Sequence, residues 1–354
     1  MDLIRSRMTR RTFAGVAAGT TAVLVAGSPA IFSTVAAQDA TPVPYEAPAN
    51  IGDLSGGFES DGSSTLGPLT EAAIEEFATI APNVRITNGI SGTGGGFERF
   101  VKGEIAIANA SRPIKDEEAQ AAAAAGIPWY KFDVAYDGIT VVVSSENDFI
   151  ESLTVEQLAK IWAADGGVKT WADVDPSWPA EAVELYGPGT ASGTFDYFNE
   201  EILGETAPRT DYTPSEDDNV LVQGVAGSKY ALGYFGFSYY EENQDTLKAV
   251  AIDDGSGPVA PSIESISDGT YKPLGRTLFI YVSANDLKSN QAVAEFVRYY
   301  LATADELAPS VGFIPLPAAD EFEQQVKFNG AIDGSIAPDS EAAGATPAAS
   351  TPAA

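Results

Sequence analysis

Three short stretches of the sequence combine glycine with serine or threonine directly before a segment whose apolar residues have helical spacing. Free backbone N–H groups and short hydroxyls at the start of a helix form a cradle for a tetrahedral oxyanion. A single stretch of this kind is more simply read as an ordinary helix N-cap. Three of them favour one shared anion site. They are GSSTLGPLTEA (62–72), GISGTGGGFERF (89–100) and GTASGTFDYF (189–198).

Other chemistry fits these stretches poorly. SGTGGGF departs from G-x-G-x-x-G at its last position, and GPGTASGT lacks the lysine of a phosphate-binding loop of nucleotide-binding proteins. The chain has no Cys and no His, which excludes thiolate chemistry, Cys/His zinc sites and nucleophilic mechanisms that use a His base. Paired carboxylates could still act as an acid and a base, but no metal-ligand motif stands near the three stretches.

Short strands and helices alternate along the chain and place the three stretches where strands lead into helices. This alternation predicts an α/β fold with its ligand at the loop ends. The predicted helices are 69–80, 97–103, 154–164, 195–204 and 290–304. The predicted strands are 83–87, 104–110, 137–144, 183–187 and 277–283.

Composition sets the size and the partners of the molecule. The chain has 354 residues, 44% of them hydrophobic, which is enough for about two domains. Its 50 acidic residues against 20 basic ones give a net charge of −30, so nucleic acid and anionic membranes are unsuitable partners. A small anion is not excluded, because exposed charges are screened over about 10 Å while oriented amides act at contact distance.

The first 37 residues are predicted to be an export signal. Four arginines precede a modest apolar stretch, and small residues at 35–37 offer a cleavage site. TRRTF resembles the twin-arginine signature. Cleavage would remove four arginines and one aspartate, which changes the net charge from −30 to −33. An uncleaved membrane anchor is the alternative, although the apolar run is short.

The mature chain is expected outside the cytoplasm, in the periplasm, secreted or at the cell surface. Without Cys it cannot be a diacylglyceryl lipoprotein. Residues 38–50 and 333–354 are rich in Pro, Ala and Thr, so we expect a disordered linker and a disordered tail.

Motifs across residues 54–330 make the sequence resemble the phosphate-binding subunit of bacterial ABC transporters. Beyond the three stretches, these motifs are IANASRPIKDEE, SLTVEQLAKIWA, YALGYFGFSYY and RTLFIYV. The resemblance implies a two-lobed periplasmic-binding-protein-like fold of type II, an α/β architecture whose lobes are joined by crossing strands and close on the anion. Residues 51–138 and 271–332 would form lobe 1, and residues 139–270 would form lobe 2.

The resemblance also implies phosphate ligands within the three stretches. The implied donors are Ser64, Thr65 and Leu66 in the first stretch, Ser91 or Thr93 in the second, and Ser192, Gly193 and Thr194 in the third.

Two positions depart from the best-known members of the family. They carry an arginine where this chain has Pro188, and an aspartate in the motif where this chain has Arg112. The cation would thus have moved to Arg112, whose alternative role is that of a surface residue. The aspartate accepts the proton of hydrogen phosphate and thereby rejects sulfate. Asp137 is the candidate replacement, with a turn residue as its alternative, and Arg209 is a second candidate cation.

The expected function is capture of inorganic phosphate for an ABC transporter permease by a monomer without a cofactor and without enzymatic activity. Three alternatives stay open at this point. The ligand could be sulfate, molybdate or another tetrahedral oxyanion. The fold could also serve as an adhesion or signalling ectodomain, or as a metal-free hydrolase.

Overall fold

The computed structural model of the protein describes residues 41–340, with the exception of Ala191 and Glu216. The predicted export signal and the tail beyond residue 340 lie outside the described residues. The strands are β1 (Ser55–Gly62), β2 (Asn83–Asn88), β3 (Ile107–Ala110), β4 (Trp129–Ser144), β5 (Ser152–Thr154), β6 (Glu184–Gly187), β7 (Thr213–Pro214), β8 (Ala231–Gly236), β9 (Leu247–Ala249), β10 (Ala251–Asp253), β11 (Pro258–Val259) and β12 (Gly275–Ser283).

Helices alternate with these strands, and a π-helical turn at Asn199–Leu203 continues one of them. The α-helices are α1 (Gly67–Ile80), α2 (Gly92–Phe100), α3 (Asp116–Ala125), α4 (Val155–Trp162), α5 (Gly193–Phe198), α6 (Asp218–Ala226), α7 (Phe237–Glu241), α8 (Ile263–Ser267), α9 (Ala284–Ser289), α10 (Gln291–Leu301), α11 (Ala304–Leu307) and α12 (Ala318–Asp333).

One mixed sheet runs through the molecule in the order β2-β1-β3-β12-β4-β8-β6-β7, and β9 pairs with β4. Strands β2, β1 and β3 are parallel, and so are β8, β6 and β7. The first half of β4 pairs antiparallel with β12, and its second half pairs antiparallel with β8. The two halves of the sheet are therefore joined by one long strand that belongs to both.

Each half of the sheet carries its own hydrophobic core. The core of lobe 1 combines residues of α1 and β2 with residues of α10 and α12, from distant parts of the chain. The core of lobe 2 is built mainly from residues between Tyr136 and Leu274, with Trp162 and Trp171 among its large members. We use lobe 1 and lobe 2 for these two bodies. The residue limits predicted for the lobes stay a prediction.

The helices form where apolar residues recur every three or four positions. In α1, Leu69, Ala73 and Phe77 lie on one buried face, and Pro68 in the first turn has no N–H that would need a partner. Thr154 caps α4 by accepting a hydrogen bond from the Gln157 backbone N–H at 3.1 Å. The five strands predicted from the sequence are all present, and four of the five predicted helices agree to within about three residues.

Helix α2 begins at Gly92, five residues before the predicted start at Phe97. Glycine weakens a helix by about 1 kcal/mol relative to alanine, so the run of glycines predicted a turn. In the structure Gly96 lies against β1, where an added Cβ would be 2.6 Å from the Gly62 Cα. The close packing of helix on strand requires glycine at this position and offsets its low helix propensity.

Both predicted disordered ends contain segments that pack on lobe 1. The Gln325 side-chain amide accepts a hydrogen bond from the Val43 N–H at 2.7 Å and donates one to the Val43 carbonyl at 3.2 Å. The Tyr45 hydroxyl donates to Glu295 at 2.6 Å. In the tail, the Asp339 carboxylate accepts a hydrogen bond from the Lys131 N–H at 2.7 Å. Composition predicted disorder because these segments have few apolar residues, but polar groups of the folded body bind them, and Tyr45 and Ile336 pack against the core of lobe 1.

Glu321 of α12 is an acidic residue that the fold buries. Its side chain is only 5% exposed and accepts a hydrogen bond from the Gln325 amide at 2.9 Å. Burial, together with the nearby carboxylates of Asp305 and Glu306, raises the pKa of Glu321 to about 7. The charged form of this residue therefore opposes folding.

Replacing Glu321 with glutamine should stabilise the protein at about pH 8 and leave its stability unchanged at about pH 4. An unfolded glutamate has a pKa of about 4.3, so the contribution of the protonated form is complete below that pH and is lost as pH rises through 7. One pKa unit corresponds to about 1.4 kcal/mol and water screens part of the charge, so we expect Glu321→Gln to gain about 1–2 kcal/mol. Denaturant unfolding measures it.

Glu323→Gln, at an exposed glutamate of the same helix, serves as the control and should change little at either pH. If Glu321→Gln increased the free energy of unfolding equally at both pH values, the raised pKa of Glu321 would be contradicted.

Candidate anion-binding site

A cavity of about 390 Å³ opens at the place where the three glycine- and hydroxyl-rich turns meet. Residues from both lobes line it, which is the usual place for a small ligand in a two-lobed protein. Its hydroxyl and glycine lining is Ser63, Ser64, Thr65, Gly92, Thr93, Gly94, Ser111 and Gly193. Its charged lining is Arg112, Lys115, Asp196, Glu200, Glu201 and Arg276.

The first turn connects β1 to α1 and places Ser64 and Thr65 on the cavity wall. Ser63 anchors this turn, because its N–H donates to the Asn109 carbonyl at 2.9 Å and its hydroxyl accepts the Leu66 N–H at 3.3 Å. Leu66 is fully buried behind the wall. The two predicted hydroxyls face the cavity, whereas the predicted Leu66 amide is already bonded to Ser63.

The second turn connects β2 to α2 and contributes Thr93 to the wall. The Thr93 hydroxyl lies 3.0 Å from the Ser111 hydroxyl and also accepts the Ser111 N–H at 3.2 Å. Ser91, the other predicted residue, does not line the cavity, and its N–H donates to Asp61 at 3.0 Å. Thr93 and Ser111 therefore form the hydroxyl pair on this side.

The third turn, at the start of α5, brings lobe 2 into contact with lobe 1. A Cβ added to Gly193 would lie 3.2 Å from the Thr65 Cα, so a larger residue here would push the two turns apart by a few tenths of an ångström. Ser192 caps the helix by accepting the Thr194 N–H at 3.2 Å. Gly193 lines the cavity, while Ser192 and Thr194 flank it without lining it.

Arg112 lines the cavity but is held by an acidic partner. Its two terminal nitrogens donate to the two carboxylate oxygens of Glu118 at 2.9 and 2.8 Å. This bond raises the pKa of the Arg112 guanidinium, and the side chain is 26% exposed. The cation that the sequence placed at the site is thus largely neutralised by its neighbour.

Arg276 is another cation that lines the cavity, and the sequence analysis identified neither it nor Lys115. Its Nη2 donates to the Thr65 hydroxyl at 2.8 Å and its Nε donates to Asp137 at 3.1 Å. The guanidinium stacks on the Tyr197 ring, 3.2 Å from the ring centroid, and the side chain is only 12% exposed. Arg276 therefore contacts the first turn of lobe 1 and helix α5 of lobe 2 at once.

Asp137 and Arg209, two residues that the sequence proposed, have other partners. Asp137 is buried and faces Arg276, its register partner between β4 and β12, rather than the cavity. Arg209 binds Asp211 through Nε at 2.6 Å and the Ile161 carbonyl through Nη1 at 2.8 Å, beside a separate cavity of about 510 Å³. Arg209 thus has a structural role within lobe 2.

Three carboxylates of lobe 2, all on exposed residues, line the same cavity as the cations of lobe 1. Partial desolvation and the charge of Glu200 raise the pKa of Asp196. The same two causes raise the pKa of Glu201, whereas Arg276 lowers it. The cavity therefore offers donors on the lobe 1 side and carboxylate acceptors on the lobe 2 side, which suits an oxyanion that carries a proton.

Within residues 41–340, apart from the two gaps, no group of three or more acidic side chains has the geometry to hold a metal ion. In the same part of the chain, no helix is long and apolar enough to cross a bilayer.

Comparison with known proteins gives a family model and several relatives. The model, described as a PBP superfamily domain, matches residues 15–304. Protein SphX of Synechococcus elongatus is 50% identical over 262 residues, which is 73% of this chain and 77% of that protein. Phosphate-binding protein PstS of Staphylococcus saprophyticus is 41% identical over 285 residues, which is 80% of this chain and 88% of that protein.

A solved structure has the same architecture. A possible phosphate binding protein from Planctomyces limnophilus superposes with a TM-score of 0.76 at 46% identity, covering 78% of this chain and 99% of that one. The two-lobed α/β fold and the family resemblance expected from the sequence motifs are thereby confirmed. The chain belongs to the PBP superfamily and, within it, to the family of the PstS phosphate-binding proteins.

Proposed function

We propose that this chain is an extracytoplasmic solute-binding protein that captures inorganic phosphate for an ABC transporter. The observation that carries the proposal is the convergence of three hydroxyl-rich turns and Arg276 on one cavity between the lobes. The names of the relatives support phosphate as the ligand. We assign the chain no catalytic step.

In this proposal, phosphate is held by groups of residues that line the cavity. Ser64, Thr65 and Thr93 supply hydroxyls from lobe 1, and Gly193 supplies a backbone N–H from lobe 2. Arg276 supplies the cation, and its planar guanidinium can donate two parallel hydrogen bonds to a phosphate. Closure of the lobes around the anion would remove its remaining water.

Arg276 is the better candidate for the ligand cation than Arg112. The guanidinium of Arg112 donates to both carboxylate oxygens of Glu118. Arg276 donates to Asp137 through Nε alone, and its Nη2 donates to the Thr65 hydroxyl on the cavity wall. A phosphate oxygen at this point would bond both Thr65 and Arg276. In this proposal, Arg276 of strand β12 takes the role of the arginine that other family members carry at the position of Pro188.

The proposed location and partners are supported by the similarity to PstS proteins rather than by the cavity. The export signal would deliver the chain outside the cytoplasm, and a permease would receive the phosphate. We further propose that the chain acts as a monomer, because one chain supplies the cavity lining from both lobes.

Removing the cation or the hydroxyl should weaken phosphate binding. A hydrogen bond to a charged group contributes about 1.5–3 kcal/mol, so we expect Arg276→Gln to raise the Kd about 10- to 100-fold and Thr65→Val about tenfold. Titration calorimetry of phosphate-free protein measures the Kd. Arg85→Gln, at an exposed arginine of β2, is the matched control.

A wild-type Kd for Arg276→Gln, in protein whose melting temperature shows that it is folded, would rule out Arg276 as a ligand. If Arg112→Gln weakened phosphate binding and Arg276→Gln did not, Arg112 would be the ligand cation, as the sequence predicted.

Phosphate should bind at least about tenfold more tightly than sulfate at neutral pH. Hydrogen phosphate can donate a proton to a carboxylate of lobe 2, whereas sulfate would leave two acceptors facing each other. The triple variant Asp196→Asn, Glu200→Gln and Glu201→Gln should narrow the ratio of the two affinities. Competition calorimetry measures the ratio, with Glu205→Gln, at an exposed residue of lobe 2, as the control. Equal affinities in the wild type would overturn phosphate selectivity.

A further inference from the structure

Asp61 is a buried acid that has no place in the proposed phosphate contacts. It is the residue before the last of β1, directly ahead of the first turn, and it is only 4% exposed. It does not line the cavity. A buried charge of this kind is costly unless it is paired and hydrogen-bonded, so its partners indicate why it is there.

The carboxylate of Asp61 bonds both anion-binding turns of lobe 1. Its Oδ1 accepts the Gly62 N–H at 2.7 Å, at the start of the first turn, and the Ser91 N–H at 3.0 Å, in the second turn. The strands below are joined next to it, because the Gly89 N–H donates to the Ser60 carbonyl at 2.8 Å. One oxygen atom therefore connects the two turns directly.

We propose that Asp61 is a positioning residue that sets the distance between the first and second turns and so places Thr65 and Thr93 for the anion. It acts through the two backbone amides and does not touch the ligand. This inference rests on the proposed function of the cavity.

Arg99 neutralises the charge of Asp61, which would otherwise repel an anion in the cavity. Its Nη1 donates to Asp61 Oδ2 at 2.7 Å, and it also binds the more exposed Glu59 and Glu104. Burial alone would raise the pKa of Asp61, but hydrogen bonds from Arg99, Ser91 and Gly62 hold it below its usual range. Asp61 thus stays an ionised acceptor at neutral pH, with its charge opposed by Arg99.

The same contact explains why the second turn offers a hydroxyl rather than its first amide. The Ser91 N–H would be a natural donor to a phosphate at the start of α2, but Asp61 has taken it. Thr93, two residues further along, is left to face the cavity. The position of Asp61 therefore decides which group of this turn can reach the ligand.

Two substitutions separate positioning from general stability. Asp61→Asn keeps an oxygen that can accept both amides but loses the charge toward Arg99, and Asp61→Ala loses both. Glu59→Gln is the matched control, because Glu59 pairs with the same arginine and is 54% exposed. Phosphate Kd by calorimetry, melting temperature, and hydrogen exchange at the Gly62 and Ser91 amides are measured for the full mature chain.

We expect Asp61→Ala to weaken phosphate binding at least about tenfold and to speed exchange at both amides. Asp61→Asn should stay within about threefold of the wild-type Kd, and Glu59→Gln should match the wild type. If Asp61 only stabilised the fold, both variants would melt at lower temperature and the folded protein would bind phosphate normally.

A wild-type Kd for folded Asp61→Ala, or an equal loss for Asp61→Ala and Asp61→Asn, would overturn the proposal. Should Asp61→Ala not fold, Asp61→Glu takes its place with the same expectation, because it displaces the carboxylate by one methylene. If the wild type itself binds no phosphate, the proposed function fails. Separately, amide exchange at Gly62 and Ser91 that is the same in Asp61→Ala as in the wild type would show that Asp61 does not join the turns.

Discussion

The contacts of one guanidinium group hold the candidate site together. Arg276 reaches Thr65 in lobe 1, stacks on Tyr197 of lobe 2 and is neutralised by Asp137 on the neighbouring strand. A buried arginine requires such partners, since an unpaired charge would be strongly destabilising. The turns, the helix and the central strands of the sheet must all be correctly placed for these bonds to form together.

The cavity also shows how a strongly acidic protein can offer a site for an anion. The three cations that line it belong to lobe 1 and the three carboxylates to lobe 2, and Arg112 and Arg276 have acidic partners of their own. The excess charge of the surface is screened over about 10 Å. Besides the Arg276 guanidinium, the cavity offers nearby dipoles, chiefly hydroxyls and amides, whose effect depends on orientation more than on net charge.

The sequence predicted the fold well and the site only in part. Periodicity identified the helices because their buried faces repeat locally, as in Leu69, Ala73 and Phe77 of α1. The hydroxyl residues that line the cavity from the first two turns could be predicted because glycine, serine and threonine mark turns. Arg276 was missed because its partners depend on the pairing of β12 with β4, which joins residues far apart in sequence. The only local signal was an arginine at the start of an otherwise apolar strand.

Strand β4 pairs with β12 up to Gly138 and with β8 from Ile139 onward, so the connection between the lobes lies next to the Asp137–Arg276 pair. A rotation of one lobe against the other must twist the backbone at this point. That twist moves the arginine relative to Thr65 on one side and Tyr197 on the other. If the lobes close on the anion as proposed, the bound anion and the angle between the lobes would both act on the position of this one arginine.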